Sequence, residues 1–401
     1  MKSTRPRAPA GSCRERLSVS EKGFEVGLKC GRPLGILFGL TLLAGCGGGV
    51  PAGRTASETA ASRRAMRCTA IFYKPIGARR PRRIALHGPG LILGGGGTDV
   101  NGEFAWIHDT IVGSHARRGG DLVVLRATGN ADYDRYIYRL APYHSVRTLL
   151  VPTCSSAQTL QKAAAIVARS SAVFFAGGDQ ADYVIWKGTP IQSAVQSVYD
   201  AGGVVGGTSA GEAILGKFVF DARHDDRRDA TSHNAVRDPY EQLISFTYDF
   251  LHFAPLDDTV TDMHFVTRNR FGRTAVFMAR QIADGKVRRR PAVVFGIGVD
   301  EASGIAIDRN GVGTLLLQGK GGSAFLIRGG PAKQIIRGVP FVSNRLTVTK
   351  LSRQGDRFDF VSWCGEEPTY TVTVDGRGSN GIYVPRDPYD PPSSAHTPTC
   401  K

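Results

Sequence analysis

The sequence predicts an α/β fold in which helices cover both faces of a mostly parallel β-sheet, followed by a C-terminal portion rich in antiparallel strands. Several strand-like runs are apolar on both faces, and helical segments alternate with them along the chain, a pattern typical of a buried parallel sheet. Past Gly296 the chain changes to short runs separated by turn residues, which predicts antiparallel structure. These runs are GTLLLQG, SAFLIRG, RLTVTKL, DRFDFVSW and YTVTVDG.

The predicted sheet begins with three apolar runs at residues 91–97, 121–129 and 146–152. Residues 157–170 have the spacing of a helix and lead into a further strand, SAVFFAGGDQ. The next helix has Thr189 as its predicted N-cap, Pro190 at its first position and Gln192 to complete a capping box. The strand VVGGTS follows directly.

The first 45 residues are predicted to be a lipoprotein signal peptide. A basic segment precedes the apolar run PLGILFGLTLLAG, which is short for a membrane span. The run ends in LAGC, which resembles a lipobox, so Cys46 is the expected lipidated residue, and cleavage elsewhere is the alternative. Residues 46–67 are small and polar and are expected to form a flexible tether. The chain is therefore expected to be exported and lipid-anchored to the cell envelope, on the periplasmic face or in the outer membrane of a host with two membranes.

The net charge favours anionic partners. The chain carries a net charge of +16, and the predicted signal peptide holds eight basic and three acidic residues, which leaves about +11. The basic residues are scattered without interleaved aromatic residues, which argues against nucleic acid.

Four cysteines beyond Cys46 remain after cleavage: Cys68, Cys154, Cys364 and Cys400. In an oxidising compartment they allow up to two disulfides in any of three pairings, and a Cys364–Cys400 bridge would fasten the C-terminal tail. The sequence lacks a C-x-x-C pair, which gives a structural zinc site little support.

Ser209 lies in the stretch GGTSAGEA, which has the G-x-S-x-G pattern at the end of a predicted strand. Such a strand-turn-helix elbow can project a nucleophilic hydroxyl, and the alternative is a glycine turn that packs a helix closely on its strand. The best candidate base is His264, 55 residues further on, a spacing that disfavours an α/β-hydrolase. Arg268, Arg270 and Arg273 follow it, a density of guanidinium groups suited to carboxylates or, alternatively, a solvated charged face.

Four stretches, FFAGGDQ, GGVVGGTSAG, TDMHFVTRNRFGR and GIGVDEASGIAI, together resemble cyanophycinase and its relatives, a serine peptidase family that includes bacterial α-aspartyl dipeptidase. The resemblance spans roughly residues 91–308. It implies a three-layer α/β/α fold like that of class I glutamine amidotransferases, without a metal or cofactor and often homodimeric. On this basis residues 68–308 form the catalytic domain, 309–385 a β-rich extension and 386–401 a Pro-rich tail.

The resemblance also implies roles for individual residues. Ser209 would be the nucleophile and His264 its base, and the backbone N–H groups of Gly178 and Ala210 would form the oxyanion hole. Gln180 and Asp262 would line the pocket. The arginine cluster (Arg268, Arg270 and Arg273) would hold the free carboxylates that recur along cyanophycin.

Two residues depart from the family pattern, Met263 where cyanophycinase has glutamine and Glu212 where alanine is usual, and both put cyanophycin itself in doubt as the substrate. The family's acid lies some 15–18 residues beyond the serine. That spacing favours Asp225 as the third catalytic residue, with Asp226, Asp221 and Asp229 as alternatives. The nearby histidines, His224 and His233, have spacing that fits no standard metal site.

These observations predict an exported serine peptidase that hydrolyses peptide or isopeptide bonds of aspartyl/arginyl substrates through an acyl-enzyme. The alternative is a catalytically silent lipoprotein that binds acidic peptides. A glutamine amidotransferase is disfavoured, because its chemistry needs a cysteine where Ser209 stands.

Overall fold

The secondary structure alternates strands and helices in the first half and is mostly β in the second. The structure, a computed structural model, describes residues 68–113, 117–224, 229–378 and 381–396. Its strands are β1 (Ile71–Phe72), β2 (Ile76–Gly77), β3 (Gly90–Gly94), β4 (Gly119–Arg126), β5 (Tyr143–Leu150), β6 (Ala172–Phe175), β7 (Val204–Thr208), β8 (Phe218–Phe220), β9 (Phe246–Tyr248), β10 (Thr259–Asp262), β11 (Val294–Val299), β12 (Ser303–Ile307), β13 (Val312–Leu317), β14 (Ala324–Gly329), β15 (Leu346–Leu351), β16 (Arg357–Asp359), β17 (Cys364–Gly365), β18 (Thr369–Val374) and β19 (Tyr383–Val384). Its helices are α1 (Asn101–Val112), α2 (Asp132–Leu140), α3 (Ala157–Val167), α4 (Gln180–Val184), α5 (Pro190–Asp200), α6 (Ala210–Ala213), α7 (Ser232–Arg237) and α8 (Phe271–Ala283), with a 3₁₀ turn at Ala254–Leu256.

A large sheet forms the centre of the fold. In the described part of the chain it has eleven strands in the order β1-β5-β4-β6-β7-β3-β12-β13-β16-β17, with β2 also paired to β5. The middle strands, from β5 to β3, are parallel, and the flanking strands are antiparallel. In the parallel part the carboxyl ends of the strands share one edge, where ligands usually bind in open α/β sheets.

A second sheet lies beyond the first in sequence. Among the described residues its order is β10-β11-β14-β15-β18-β19, with β10 and β11 parallel and the other pairs antiparallel. Strands after residue 308 belong to both sheets, since β13, β16 and β17 extend the first while β14, β15, β18 and β19 extend the second. The predicted α/β fold with a mostly parallel sheet and antiparallel C-terminal strands is confirmed.

Helices cover both faces of the parallel strands. On one face α1 and α2 bury side chains such as Phe104 and Ile137 with strand residues in one apolar cluster. On the other face α3 and α5 contribute Val167 and Val198 to a second cluster, which also holds Ile297 from β11. The second sheet therefore shares a core with the first, while α7 and α8 bury its other face.

Helix α5 begins where the sequence predicts, but it lacks the predicted capping box. Thr189 is the N-cap residue, yet its hydroxyl donates to the carbonyl of Trp186 at 2.7 Å and caps no helical N–H. The side chain of Gln192 instead accepts from the N–H of Gly188 at 2.6 Å and donates to carbonyls near residue 250. Gln192 therefore fastens the helix to a neighbouring loop, a tertiary contact that sequence spacing does not show.

A disulfide joins Cys68 to Cys154 across 86 residues and ties the start of the described chain to the loop after β5. Cys364 is also disulfide-bonded, while Cys400 and the predicted lipidation site Cys46 lie outside the described residues. Within the described ranges, no helix combines the length and apolar character needed to cross a membrane.

Candidate active site

Ser209 occupies a strained elbow between β7 and α6. Its backbone has φ 53° and ψ −121°, a left-handed conformation that is uncommon outside glycine. Its N–H donates to the carbonyl of Gly94 at 2.9 Å, which fixes the elbow against β3. A Cβ atom at Gly207 would overlap the backbone of Gly211, and one at Gly211 would overlap the carbonyl of Phe175. Both glycines of the G-x-S-x-G pattern are thus required by close backbone approach.

His264 lies directly beside this serine. It follows β10 by one residue and also has a positive φ of 46°, and its N–H donates to the carbonyl of Gly95 at 2.8 Å. Its Nε2 atom is 2.8 Å from the Oγ of Ser209. The 55-residue spacing noted in the sequence therefore places the two side chains within hydrogen-bond distance.

The other ring nitrogen of His264 contacts Glu301, at 2.6 Å between Nδ1 and Oε1. Glu301 follows the end of β11, which is the parallel neighbour of β10. With the carboxylate accepting from Nδ1–H, Nε2 is left to accept from the serine hydroxyl. The three side chains thus form a continuous hydrogen-bonded chain, an arrangement suited to activating a serine.

The environment of His264 favours a neutral imidazole. Burial lowers its pKa from the ordinary value, and the positive charges of Arg268 and Arg270 act in the same direction, while the hydrogen bond to Glu301 opposes them. A neutral imidazole at pH 7 is the form that can accept a proton.

Residues around His264 and Glu301 hold both side chains in place. Asp300 accepts hydrogen bonds from the N–H groups of Val266 and Thr267 at 3.1 and 3.0 Å, which fixes the loop after His264. A Cβ atom at Gly96, which has φ 94°, would lie 2.7 Å from His264 Nε2 and 3.0 Å from Ser209 Cβ. The glycine turn after β3 therefore packs directly against the candidate active site, a role that the sequence did not suggest.

The two predicted oxyanion donors belong to segments next to Ser209. Ala210 follows the serine at the first position of α6, and no described acceptor binds its N–H. Gly178 has φ 155° in the loop after β6, and a Cβ atom on the preceding Gly177 would lie 3.6 Å from Ser209 Cβ. Gln180 is buried two residues further on, at the start of α4.

Arg270 and Arg273 bind protein carboxylates. Arg273 is 1% exposed, and it donates to Asp262 through Nε at 2.8 Å and Nη2 at 2.5 Å. Arg273 also donates to Asp229 at 2.7 Å, and Arg270 donates to the same carboxylate at 3.0 Å. Of the residues expected to face a substrate, Arg270 and Arg273 thus pair with two protein acids, the buried Asp262 and the exposed Asp229, whereas Arg268 is exposed near His264.

The two departures from the family pattern lie on the buried side of this network. Met263 is buried, and its sulfur lies 2.7 Å from Nη1 of Arg270. Glu212 is fully buried, and neither carboxyl oxygen has a hydrogen-bond partner in the described structure. Burial, followed by the charge of Asp262, raises its pKa well above the usual range, which favours the neutral form.

The predicted third catalytic residue, Asp225, lies outside the described residues, as does Asp226. Of the two described alternatives, Asp221 accepts from Thr247 at 2.8 Å and Asp229 pairs with arginines. Glu301 was missed, although it stands in the stretch GIGVDEASGIAI that carried the resemblance. The available signal was the position of Glu301 just after β11, the strand next to β10, which precedes His264. Among the described residues, no group of three or more His, Cys, Asp or Glu side chains could hold a metal ion.

Comparisons with known proteins give distant structural similarities. No protein-family model and no curated protein matches the chain. A peptidase from an acI-B1 Actinobacterium aligns with a TM-score of 0.42 and 16% identity over 69% of this chain and 98% of that one. A candidate peptidase E from Listeria monocytogenes EGD-e aligns with a TM-score of 0.37 and 12% identity over 58% of this chain and 100% of that one. These TM-scores and identities are too low to transfer an activity from either protein to this chain.

Proposed function

We propose that this protein is a serine hydrolase that cleaves amide bonds with Ser209 as nucleophile, His264 as general base and Glu301 as the acid that orients the histidine. The observation that carries the proposal is the hydrogen-bonded chain from Glu301 through His264 to a serine on a strained elbow. Glycine turns and buried carboxylates hold these groups in place, and such fixed geometry is typical of catalytic sites.

In the proposed reaction the Oγ of Ser209 attacks the amide carbonyl carbon while its proton passes to Nε2 of His264. The N–H groups of Gly178 and Ala210 stabilise the oxyanion, and Glu301 stabilises the imidazolium. His264 then returns the proton to the leaving nitrogen as the C–N bond breaks, which leaves an acyl-serine. A water molecule attacks this ester, with His264 again taking the proton, and releases the acid and the free serine.

We further propose that the substrate carries a carboxylate next to the scissile bond, as in aspartyl peptides or cyanophycin-like isopeptides. Arg268 is exposed, and its positive charge lowers the pKa of His264, so it lies near the candidate active site. An arginine in that position suits a substrate carboxylate. The disulfide between Cys68 and Cys154 supports the proposal of export, because such bridges persist mainly in oxidising compartments.

The test has two parts. A fluorophosphonate probe should label the wild-type protein but not Ser209→Ala, while Ser352→Ala, which removes an exposed serine hydroxyl elsewhere, should label normally. Incubation with cyanophycin, β-Asp-Arg and a panel of Asp-Xaa peptides, followed by mass spectrometry, should then show which bonds are cut. Equal labelling of Ser209→Ala and the wild type would refute the serine mechanism.

A further inference from the structure

The structure contains a cavity at the end of the large sheet opposite Ser209. Ser209 follows the carboxyl end of β7, next to Gly94, whereas this cavity is lined by Pro89, just before β3, and by Gly311, in the turn between β12 and β13. Its volume is about 580 Å³, enough for a small organic molecule. We name it the distal cavity.

Positive charge gathers in the distal cavity. Arg289, Arg309 and Arg328 line it. Arg289 pairs with Asp258 at 3.5 Å, but Arg309 and Arg328 have no ion pair or side-chain hydrogen bond in the described structure. The one acid in the lining, Asp257, already contacts Lys217 at 3.4 Å. The cavity therefore presents two guanidinium groups whose charge no described acid neutralises.

The lining of the distal cavity also includes stacked aromatic side chains, which we call the aromatic wall. The indole of Trp363 stacks on the ring of Phe295 with centroids 4.0 Å apart, and Arg289 lies over that same ring at 5.3 Å. Trp363 has a positive φ of 54°, an uncommon conformation for a bulky residue. The carboxylate of Asp359 fixes the turn before it by accepting from the N–H of Val361 at 2.8 Å and the hydroxyl of Ser362 at 2.7 Å. The aromatic wall is thus held in position before any ligand arrives.

We propose that the distal cavity binds a small organic anion in which a carboxylate or phosphate is attached to a flat apolar group. The anionic group pairs with Arg309 and Arg328, since guanidinium groups bind both anions through paired N–H donors. The flat group packs against Trp363, because aromatic faces bury large apolar areas with little loss of side-chain freedom. This binding is independent of the proposed hydrolase activity, since no catalytic residue lines the cavity.

Calorimetric titration of the full chain with 2-naphthoate, 2-naphthyl phosphate and the neutral 2-naphthalenemethanol tests the proposal. We expect saturable binding of at least one anion with a Kd on the order of 0.1–1 mM, as suits a ligand of about a dozen heavy atoms. Whichever naphthyl anion binds more tightly identifies the preferred head group. We expect the neutral alcohol to bind about tenfold more weakly or worse, because it lacks the charged contacts.

Variants locate the binding. Arg309→Ala/Arg328→Ala should weaken anion binding about tenfold or more. The control Arg135→Ala/Arg139→Ala removes the same charge from exposed positions of α2 and should bind like the wild type. Trp363→Leu should weaken the binding of all three probes. We expect bound naphthyl groups to quench the fluorescence of Trp363, so this variant should also lose that quenching. Thermal unfolding of each variant shows whether it is folded.

Four results would overturn the proposal. The first three are absence of saturable binding of both anions at several millimolar, equal binding of the neutral alcohol, and equal losses in the control variant and in Arg309→Ala/Arg328→Ala. A loss confined to Arg268→Ala would place the anion at the candidate active site and would overturn it as well. Fluorophosphonate labelling of Ser209 reports separately on the proposed function.

Discussion

Replacement of Glu301 by glutamine should slow the proposed hydrolase while leaving the fold intact. The side chain is 33% exposed and contacts His264 Nδ1 at 2.6 Å, so the variant exchanges a charged hydrogen bond for a neutral one of nearly the same shape. Hydrogen bonds to charged groups contribute about 1.5–3 kcal/mol. Partial exposure favours the lower part of that range. A loss of about 1.5–2 kcal/mol in transition-state stabilisation corresponds to a roughly 10- to 30-fold fall in kcat/KM.

Glu301→Ala should lower kcat/KM more than Glu301→Gln does, because it also removes the group that fixes the orientation of the His264 imidazole. A positioned general base contributes about 10²- to 10⁴-fold, which sets the upper limit for this variant. The assay is steady-state kinetics on the best peptide found by mass spectrometry, with the thermal unfolding midpoint as the check of folding.

The pH profile separates an electrostatic role from a merely structural one. The reaction needs neutral His264, so kcat/KM falls as the pH drops through the pKa of this histidine. Glu301 raises that pKa against the opposing effect of burial. Loss of the Glu301 carboxylate therefore lowers the pKa of His264, and the acid limb of the kcat/KM profile of Glu301→Gln should move to lower pH. A structural defect would lower the rate at every pH and leave the limb in place.

Asp225→Asn is the matched comparison, since Asp225 is the acid that spacing along the sequence favours. We expect this variant to keep kcat/KM within about twofold of the wild type, because Glu301 already supplies the carboxylate that contacts Nδ1 of His264. If Asp225→Asn instead lost tenfold or more while Glu301→Gln stayed fully active, the assignment of Glu301 would be wrong.

Four further predictions test other parts of the structure. Gly96→Ala should lower kcat/KM at least tenfold, because the added methyl group would press on His264. Gly338 has a similar positive φ but open space around it, so Gly338→Ala should lower only the free energy of unfolding, by about 1–3 kcal/mol. Arg273→Met should lower the free energy of unfolding by about 3–5 kcal/mol in denaturant titrations, because it removes the nearest cationic partner of the buried Asp262; a loss under 1 kcal/mol would contradict the ion-pair network. Arg268→Ala should move the acid limb of the pH profile to higher pH, the direction opposite to Glu301→Gln, and Arg268→Lys should leave it in place. Cys46→Ser should move the protein from the membrane to the soluble fraction on fractionation, and persistence in the membrane would contradict the lipoprotein proposal.

The regular elements were predictable because local patterns specify them. Apolar residues at helical spacing located α3 and α5, and glycines after apolar runs located the ends of β3 and β7. The pairing of Ser209 with His264 followed from the resemblance. Nothing in local spacing would have placed residues 55 positions apart within 2.8 Å.

The contacts that the sequence did not suggest are tertiary ones. Glu301 reaches His264 because β10 and β11 are parallel neighbours, and a search restricted to residues soon after the serine could not find it. Arg273 looked like a substrate ligand because its partners, Asp262 and Asp229, are 11 and 44 residues away in sequence. A cluster of arginines indicates that anions are nearby, but the sequence alone does not show whether those anions belong to the protein.

The disulfide between Cys68 and Cys154 determines how mechanical load would enter the fold. Cys68 stands three residues before β1, and that strand has only two residues, which pair with Leu149 and Leu150 at the edge of the sheet. Such a short ladder would peel apart at low force. The covalent bridge instead passes tension from residues before Cys68 straight to the loop that ends β5, a strand hydrogen-bonded to β4 along its length. If the protein is pulled by its N-terminal segment, the force is transmitted through the disulfide, and the short strands β1 and β2 do not carry it.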